Sequence, residues 1–184
     1  DFVIDFFENK NIKQVFHISG GGCMHLTESL SNSKFDILCP HHEQTALMAA
    51  EGYTRMTNLP ALTIVTTGPG GTNSLTGLLG LWLDSIPSII ISGQVPTNQL
   101  SKNTGCRQIG DQEFDIVQVV KPMTKYAKII LNKNDIKYEL EKAFQISISG
   151  RPGPVWLDIP LDIQGSQIEV KNLREYKITK SKIE

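Results

Sequence analysis

The chain has 184 residues, of which 40% are hydrophobic and 20% are charged, a composition typical of a single domain with its own core. Its 18 basic and 19 acidic residues leave a formal net charge of -1, so it lacks the basic excess expected of a protein that binds nucleic acid or an anionic membrane surface. No apolar stretch approaches the roughly 20 residues of a transmembrane helix. From the balanced charge and the short apolar stretches together, we expect no nucleic-acid and no membrane partner.

Short β-rich segments alternate along the chain with helical patterns. Strands are predicted at residues 15–18, 35–39, 61–66, 88–92, 126–130 and 155–159. Helices are predicted between them, at residues 24–30, 43–56, 73–82, 112–120 and 136–148. Strands such as residues 62–65 are apolar on both faces, as in a sheet that is covered on both sides. The order predicts an α/β fold, an open doubly wound parallel sheet of about six strands with helices on both faces.

Glycine-rich or polar segments follow each of the first four predicted strands. They are residues 19–22 (Ser-Gly-Gly-Gly), 40–44 (Pro-His-His-Glu-Gln), 67–73 (Thr-Gly-Pro-Gly-Gly-Thr-Asn) and 93–96 (Gly-Gln-Val-Pro). In open parallel sheets, ligands bind beyond the carboxyl ends of the strands. These segments therefore predict one shared ligand-binding edge.

Several common chemistries do not fit these segments. The dinucleotide-binding pattern would need a third glycine where His25 or Asn73 stands, and no P-loop motif is present. His41 and His42 are adjacent, so they cannot chelate one metal ion from the same helix face. No nucleophile elbow of the hydrolase type occurs. We predict no metal site within this chain and no hydrolase chemistry.

Glu43 is the remaining candidate for acid–base chemistry. It follows a strand and begins a helix whose next residues are mostly small or apolar. Apolar surroundings would raise the pKa of the carboxyl group and suit it to proton exchange near neutral pH. A first-turn glutamate that complements the helix dipole would instead have a lowered pKa. The residue pattern alone leaves both interpretations open.

A series of motifs in a fixed order resembles one family. They are residues 15–21 (VFHISGG), 42–44 (HEQ), 49–55 (AAEGYTR), 68–73 (GPGGTN), 84–87 (DSIP), 93–96 (GQVP), 124–125 (TK) and 150–155 (GRPGPV). Together they resemble the N-terminal, pyrimidine-binding domain of thiamine diphosphate-dependent enzymes of the acetolactate synthase type. The resemblance runs from about Val3 to Gln164.

The resemblance implies a role for Glu43. In these enzymes a glutamate at this motif forms a hydrogen bond to N1′ of the cofactor's aminopyrimidine and favours the imino tautomer, which removes the proton from C2 of the thiazolium. The cofactor supplies the carbon that attacks the substrate, and the protein supplies positioning and proton management. By this resemblance, Glu43 is both a catalytic and a cofactor-binding residue.

The same comparison of motifs implies further site residues. Pro69 and Asn73 would line the cofactor near its ring system, and Gln112 would match the catalytic glutamine of the family's Phe-Gln-Glu segment. Gly20 and Gly21 would form the loop that faces the reactive carbon, where a side chain would block the substrate. The alternatives are structural, with Pro69 shaping a turn, Asn73 capping a helix N-terminus and Gln112 lying on the surface of a helix.

The family's properties also imply cofactors and partners. The enzyme would be a transferase or lyase that decarboxylates a 2-oxo acid such as pyruvate and transfers the two-carbon unit to an acceptor, as a homodimer or tetramer. Magnesium and the diphosphate are held in the family by a Gly-Asp-Gly…Asn motif of a C-terminal domain, which this sequence lacks. Some relatives also bind FAD in a middle domain. The chain alone is therefore expected to be inactive.

Some positions depart from the family's pattern. Asp111 stands where the family has the phenylalanine that shapes the substrate channel, Ser19 replaces a proline and Gly22 replaces an alanine. An acid at this position suggests either a rearranged loop over residues 106–110 or a related enzyme that acts on a polar or sugar acceptor in polysaccharide biosynthesis. A non-catalytic binding or assembly module with the same fold is the third alternative.

The ends and the cysteines predict the setting of the domain. The chain opens at Asp1 inside an apolar pattern and closes in a charged tail, as expected of a piece of a longer protein. We predict a pyrimidine-binding domain over residues 1–165 and a linker toward a missing central domain over residues 166–184; the alternative is a processed or disordered terminus. Three widely spaced cysteines form no disulfide framework, which predicts a cytoplasmic protein.

Overall fold

A computed structural model describes residues 1–177 of the chain. Six strands form one sheet: β1 (Gln14–His17), β2 (Asp36–Leu38), β3 (Ala61–Val65), β4 (Ser88–Gln94), β5 (Tyr126–Ile129) and β6 (Pro154–Pro160). Their order across the sheet is β2-β1-β3-β4-β6-β5, and every pair is parallel. The predicted fold class is confirmed, and the strand boundaries agree with the predictions to within two residues.

Eight α-helices connect or flank the strands of the described chain. They are α1 (Phe2–Glu8), α2 (Met24–Ser31), α3 (Glu43–Thr57), α4 (Pro69–Asn73), α5 (Leu75–Leu83), α6 (Ile116–Val120), α7 (Ile136–Ile148) and α8 (Leu161–Gln164). Over residues 1–177, none of them is both long enough and apolar enough to cross a bilayer.

Two of the predicted helices are corrected. The helix expected over residues 112–120 begins only at Ile116, because Gln112 has a left-handed backbone (φ 57°) that cannot continue a helix. Asp115 instead caps the short helix, and its side chain accepts a hydrogen bond from the backbone N–H of Gln118. The helix expected over residues 73–82 is divided at Ser74 into α4 and α5. Gln112 therefore lies in a loop, and the interpretation as a surface helix residue is wrong.

The central strands β3, β4 and β6 are buried on both faces of the sheet. Successive residues of a strand point to opposite faces, so each strand contributes side chains to both. On β3, Leu62 and Ile64 pack into a cluster with apolar side chains of α1, α2 and α7. Ala61 and Val65 pack into a second cluster with side chains of α3, α5 and α6. The apolar strands that predicted a covered parallel sheet are thus explained by two cores, one on each face.

The chain reverses its direction across the sheet at β1. This strand pairs with β2 on one side and with β3 on the other, so the chain winds outward to β2 and then returns. In open parallel sheets the ligand crevice lies at such a reversal, between the loops that follow the two strands. The fold therefore directs attention to the loops after β1 and β3, next to the start of α3.

The predicted linker lies partly within the described chain. Residues 178–184 are outside the described residues. Before them, Leu173 is buried in the core, Glu175 forms an ion pair with Lys137 (2.6 Å), and the guanidinium group of Arg174 lies over the ring of Tyr138 (3.7 Å). Residues up to 177 thus pack along α7. The domain boundary after residue 165 remains a prediction.

His17 joins β1 to its neighbours. Its ring is buried, with Nδ1 3.0 Å from the carbonyl oxygen of Ile64 and Nε2 3.0 Å from the hydroxyl of Thr27. Because a carbonyl oxygen only accepts, Nδ1 carries the hydrogen and donates it to Ile64. Burial lowers the pKa of His17 below its ordinary value, and the bond to Ile64 opposes this in part.

Acidification is expected to destabilise the fold through His17. Since the pKa of His17 is lowered in the folded protein, the unfolded chain binds the proton more tightly, and the contribution of His17 to the free energy of unfolding should fall as the pH drops below about 6.5, by at most about 1.4 kcal/mol per pH unit. Urea unfolding of the wild type and of His17→Gln at about pH 7.5 and about pH 5.5 measures the effect. The free energy of unfolding of the wild type minus that of His17→Gln should fall at the lower pH, whereas the same difference for the control His25→Gln, at an exposed position, should not change.

Candidate functional site

Glu43 is the first residue of α3, and its position follows from the pattern of that helix. The buried residues of α3 include Glu43, Ala46, Leu47 and Ala50, which share the face that packs on the sheet. His42 caps the helix, and its Nδ1 accepts a hydrogen bond from the backbone N–H of Gln44 (3.1 Å). The carboxyl group of Glu43 is thus held at the ligand-binding edge, with only 9% of the residue exposed.

The two carboxylate oxygens of Glu43 have different surroundings. Asn73, the last residue of α4, donates a hydrogen bond from Nδ2 to Oε2 of Glu43 (2.9 Å). Within the described chain, Oε1 accepts no comparable bond, and a Cβ atom built on Gly70 would lie 3.5 Å from it. One oxygen is therefore fixed in place, and the other remains free to meet a ligand. Asn73 is not the helix cap considered above.

The loop between β3 and α4 turns sharply at Gly68. Its φ of +56° is left-handed, and a Cβ there would lie 2.3 Å from the carbonyl oxygen of Gln112. Only glycine fits this position, on grounds of both backbone conformation and space. Pro69 follows as the first residue of α4, where its fixed φ suits the start of a helix. Pro69 is exposed, and its contact with a cofactor remains a prediction.

Thr66 connects the two predicted glycine loops. Its hydroxyl accepts a hydrogen bond from the backbone N–H of Gly22 (3.1 Å), and a Cβ on Gly20 would lie 2.5 Å from its Cβ. On the other side, a Cβ on Gly70 would lie 2.8 Å from its methyl group. At Gly21, in contrast, a Cβ would meet nothing within 4 Å. Packing within the chain explains glycine at position 20, and position 21 faces open space.

A cavity of about 280 Å³ lies between these loops. Its lining includes three of the predicted site residues, Gly20, Gly21 and Gln112. The remaining wall combines polar and apolar residues and comprises Gly22, Thr66, Thr67, Gln94, Val95, Pro96, Gln99, Asp111 and Leu161. The predicted residues therefore form two groups that meet at Thr66, with Gly20, Gly21 and Gln112 at the cavity and Glu43 with Asn73 beside Gly70.

A buried polar network beneath this cavity was missed by the sequence reasoning. Asp158 on β6 is 1% exposed and accepts hydrogen bonds from the hydroxyl of Ser92 (2.6 Å) and from Nε2 of Gln94 (3.0 Å). The indole N–H of Trp156 donates to the Ser92 hydroxyl (2.8 Å). The signal in the sequence was an acidic residue in the apolar strand Val-Trp-Leu-Asp-Ile-Pro.

Asp158 has a strongly perturbed pKa. Burial raises the pKa of its carboxyl group to about 7, although the hydrogen bonds from Ser92 and Gln94 act in the opposite direction. The negative charge of Asp115 raises it further. The folded chain therefore holds this proton more tightly than the unfolded chain does, and this contribution to stability is lost as the pH rises to about 7.

The titration of Asp158 should be visible at Trp156. Because the indole N–H of Trp156 donates to Ser92, which in turn donates to Asp158, its NMR resonance should shift with a midpoint near pH 7. Trp82, half-exposed on α5, is the internal control and should show no such transition. A Trp156 transition that persists in Asp158→Asn would contradict the assignment.

Metal-binding side chains are not gathered at this edge. Between residues 1 and 177, no group of three or more His, Cys, Asp or Glu side chains is arranged to hold a metal ion. His41 and His42 are both exposed.

Comparisons with known proteins point to one family. The family "Thiamine pyrophosphate enzyme, N-terminal TPP binding domain" matches residues 1–119. The chain is 37% identical over 173 residues to an acetolactate synthase of Arabidopsis thaliana, covering 94% of the chain and 25% of the relative. It is 36% identical over 172 residues to the large subunit of acetolactate synthase isozyme 1 of Escherichia coli, covering 93% of the chain and 30% of the relative. The chain thus spans about a quarter of the length of these relatives.

Proposed function

The chain belongs to the family of thiamine pyrophosphate enzyme N-terminal TPP binding domains, as its motifs predicted, and we propose that it forms the pyrimidine-binding half of the active site in an enzyme similar to acetolactate synthase. Such an enzyme would decarboxylate a 2-oxo acid such as pyruvate and transfer the two-carbon unit to an acceptor. The observation that carries the proposal is Glu43, a buried carboxylate with one oxygen held by Asn73 and the other free.

The residues at the edge fit thiamine diphosphate, which is the same compound as thiamine pyrophosphate. The free Oε1 of Glu43 is a suitable partner for a ring nitrogen, and Gly70 leaves it uncovered. When bound, thiamine diphosphate supplies the nucleophilic carbon and the electron sink that decarboxylation of a 2-oxo acid requires. The contribution of this chain is to bind and orient the aminopyrimidine and to hold a proton at Oε1 of Glu43.

The other predicted residues have supporting roles in this proposal. Asn73 fixes Oε2 and thereby the direction of Oε1. Pro69, which begins α4 after the Gly68 turn, would line the cofactor near its ring system. Gly20 and Gly21 would keep the space above the reactive carbon free, which the open surroundings of Gly21 support. Gln112 would contribute a polar group at the cavity, from its loop rather than from a helix.

The ligands for the diphosphate and for Mg²⁺ would come from another part of the enzyme. The described chain holds no cluster of metal-binding side chains, and its sequence has no Gly-Asp-Gly…Asn motif. The chain alone would then be inactive, and a longer parent protein would carry the C-terminal domain and any FAD site. The free cysteines Cys39 and Cys106 are exposed, which suits a reducing compartment such as the cytoplasm.

Replacing Glu43 by glutamine should abolish activation of the cofactor. In the full-length protein loaded with thiamine diphosphate and Mg²⁺, exchange of the C2 proton should slow by about 10²–10⁴-fold, because the amide cannot accept and return a proton at Oε1. Asn73 can still donate to the amide oxygen, so the fold should persist. NMR of the quenched exchange reaction is the measurement.

The matched control is Glu28→Gln, which removes an exposed carboxylate on α2 away from the site. Exchange of the C2 proton at the wild-type rate in Glu43→Gln would contradict the catalytic role proposed for Glu43. If the wild-type full-length protein itself shows no enhanced exchange, the chain is instead the non-catalytic module considered from the sequence.

A homodimer, or a tetramer built from it, is the second part of the proposal. Large apolar side chains are exposed on α3 and α5, a set that we call the α3–α5 patch and that comprises Met48, Met56, Leu79, Trp82 and Leu83. Met56 is 85% exposed and Leu83 is 62% exposed, and such patches mark surfaces that a partner covers. A second copy of the chain fits, because α3 begins at Glu43 and α5 follows directly on α4, which carries Gly70.

Charges placed in the α3–α5 patch should dissociate the assembly. The double variant Met56→Glu with Leu83→Glu would bury like charges at a two-fold contact, and we expect its dissociation constant to rise at least about 100-fold. Light scattering on the full-length protein at tens of micromolar measures the mass. Met24→Glu, at a half-exposed apolar residue of α2, is the control and should leave the mass unchanged. A strictly monomeric wild type would contradict the proposal.

A second candidate function is favoured by Asp111. This acid lines the cavity together with polar residues such as Gln99 and Thr67. The carboxylate of Asp111 can accept hydrogen bonds from the hydroxyl groups of a polar or sugar acceptor. We therefore retain, as the second candidate, a related thiamine diphosphate enzyme of polysaccharide biosynthesis.

A further inference from the structure

Gln94, the last residue of β4, connects the segments that surround the cavity. Its Oε1 accepts hydrogen bonds from the hydroxyl of Thr67 (2.8 Å) and from the backbone N–H of Val95 (3.0 Å). Its Nε2 donates to the carbonyl oxygen of Phe114 (2.9 Å), in the loop that carries Gln112, and to Oδ2 of Asp158 (3.0 Å). One buried amide thus contacts the loop after β3 (which we call the β3 loop), the end of β4, the loop that carries Gln112 (the Gln112 loop) and the interior of the sheet.

Backbone groups determine which way the amide of Gln94 points. The N–H of Val95 only donates and the carbonyl of Phe114 only accepts, so Oε1 must face Val95 and Nε2 must face Phe114. It follows that Nε2 donates its second hydrogen to Asp158, and that the hydroxyl of Thr67 donates toward Oε1. The hydroxyl hydrogen of Thr67 is therefore directed at Gln94.

Asp158 is the acceptor on which this arrangement depends. Ser92 and Asp158 are register partners on the adjacent strands β4 and β6, and both carboxylate oxygens accept a hydrogen bond from β4. Without this acceptor, a buried hydrogen of the Gln94 amide would lose its partner, which costs more than the bond itself contributes. Among the hydrogen bonds of the described chain, no basic side chain pairs with Asp158.

We propose that Asp158 is a positioning residue, which acts through Gln94 to hold Thr67 and the Gln112 loop at the wall of the cavity. The positioning of the loops by Asp158 is argued from the hydrogen bonds alone. Its consequence for catalysis rests on the proposed function, in which Gln112 and the loop after β3 would flank the cofactor.

Hydrogen exchange of the full-length protein at about pH 8.5, where Asp158 is ionised, followed by mass spectrometry, tests the coupling. Asp158→Asn keeps the shape but can accept from only one of its two donors, and we expect exchange of residues 108–116 to accelerate about threefold or more. Gln94→Met, which removes the amide and all of its hydrogen bonds, should accelerate exchange of the same residues about tenfold. Because both act on one contact, the double variant should exceed Gln94→Met by less than about twofold. Unchanged exchange in Asp158→Asn, or multiplicative effects in the double variant, would overturn the proposal.

Two serines of β4 provide a matched pair of variants. Ser92→Ala removes a donor to Asp158, whereas Ser88→Ala removes a hydroxyl that donates to the carbonyl of Ala61 at the other end of the strand. Only Ser92→Ala should accelerate exchange of residues 108–116, and equal effects of the two would indicate general loosening of the sheet and overturn the proposal. This comparison serves also if Asp158→Asn does not fold.

Measurements of KM and of C2 proton exchange distinguish a failure of this proposal from a failure of the proposed function. If the wild type has thiamine diphosphate-dependent activity, Asp158→Asn should raise KM for the 2-oxo acid about threefold or more, and Gln94→Met should raise it further. The rate of C2 proton exchange, which depends on Glu43, should stay within about twofold of the wild type. A wild type without such activity would refute the proposed function while the exchange experiment still decides the coupling, and slowed C2 exchange with unchanged KM would overturn the positioning role.

Discussion

The contact between Thr66 and the glycine turn after β1 is the constraint on which the site depends. Gly20 and Gly22 approach Thr66 and Thr67 so closely that side chains at these glycines would collide with the threonines. This contact joins the loops at the point where the chain reverses direction across the sheet. Because Thr66 also touches Gly70, the same contact sets the distance between the cavity and the carboxylate of Glu43. Close backbone packing, rather than any ion pair, thus assembles the candidate site.

The sequence predicted the parts of the site that are determined by local patterns. The alternation of strands and helices required a parallel sheet, and a parallel sheet brings loop 19–22 and loop 67–73 to one edge. Glu43 was identified because it begins a helix directly after a strand, and α3 buries it by the same periodicity that buries Ala46 and Leu47. Local pattern and tertiary packing agree at these positions, which is why the predicted position of Glu43 at the start of a helix is confirmed, while its role stays a prediction.

The missed parts depend on contacts between distant segments. Gln112 was assigned to a helix because its neighbours are compatible with one, but Gly68 packs against its carbonyl oxygen and Asp115 caps the helix three residues later. The bond between Asn73 and Glu43 spans 30 residues, and that between Gln94 and Asp158 spans 64. No periodicity in the sequence predicts such pairs. An acidic residue in a buried strand nevertheless indicates that a hydrogen-bond donor must lie next to it.

Asp158 shows why a buried acid can persist in an apolar sheet. Burying a carboxylate without a basic partner is unfavourable, and apolar residues at such positions often give a more stable protein. An apolar side chain, however, could not accept from Gln94, and the buried amide would lose the acceptor of its second hydrogen. The stability lost by burying the charge is thus exchanged for a defined arrangement of the loops. If the site has the proposed function, the position of these loops relative to Glu43 would have to be defined to within about 1 Å to align the cofactor ring with a substrate.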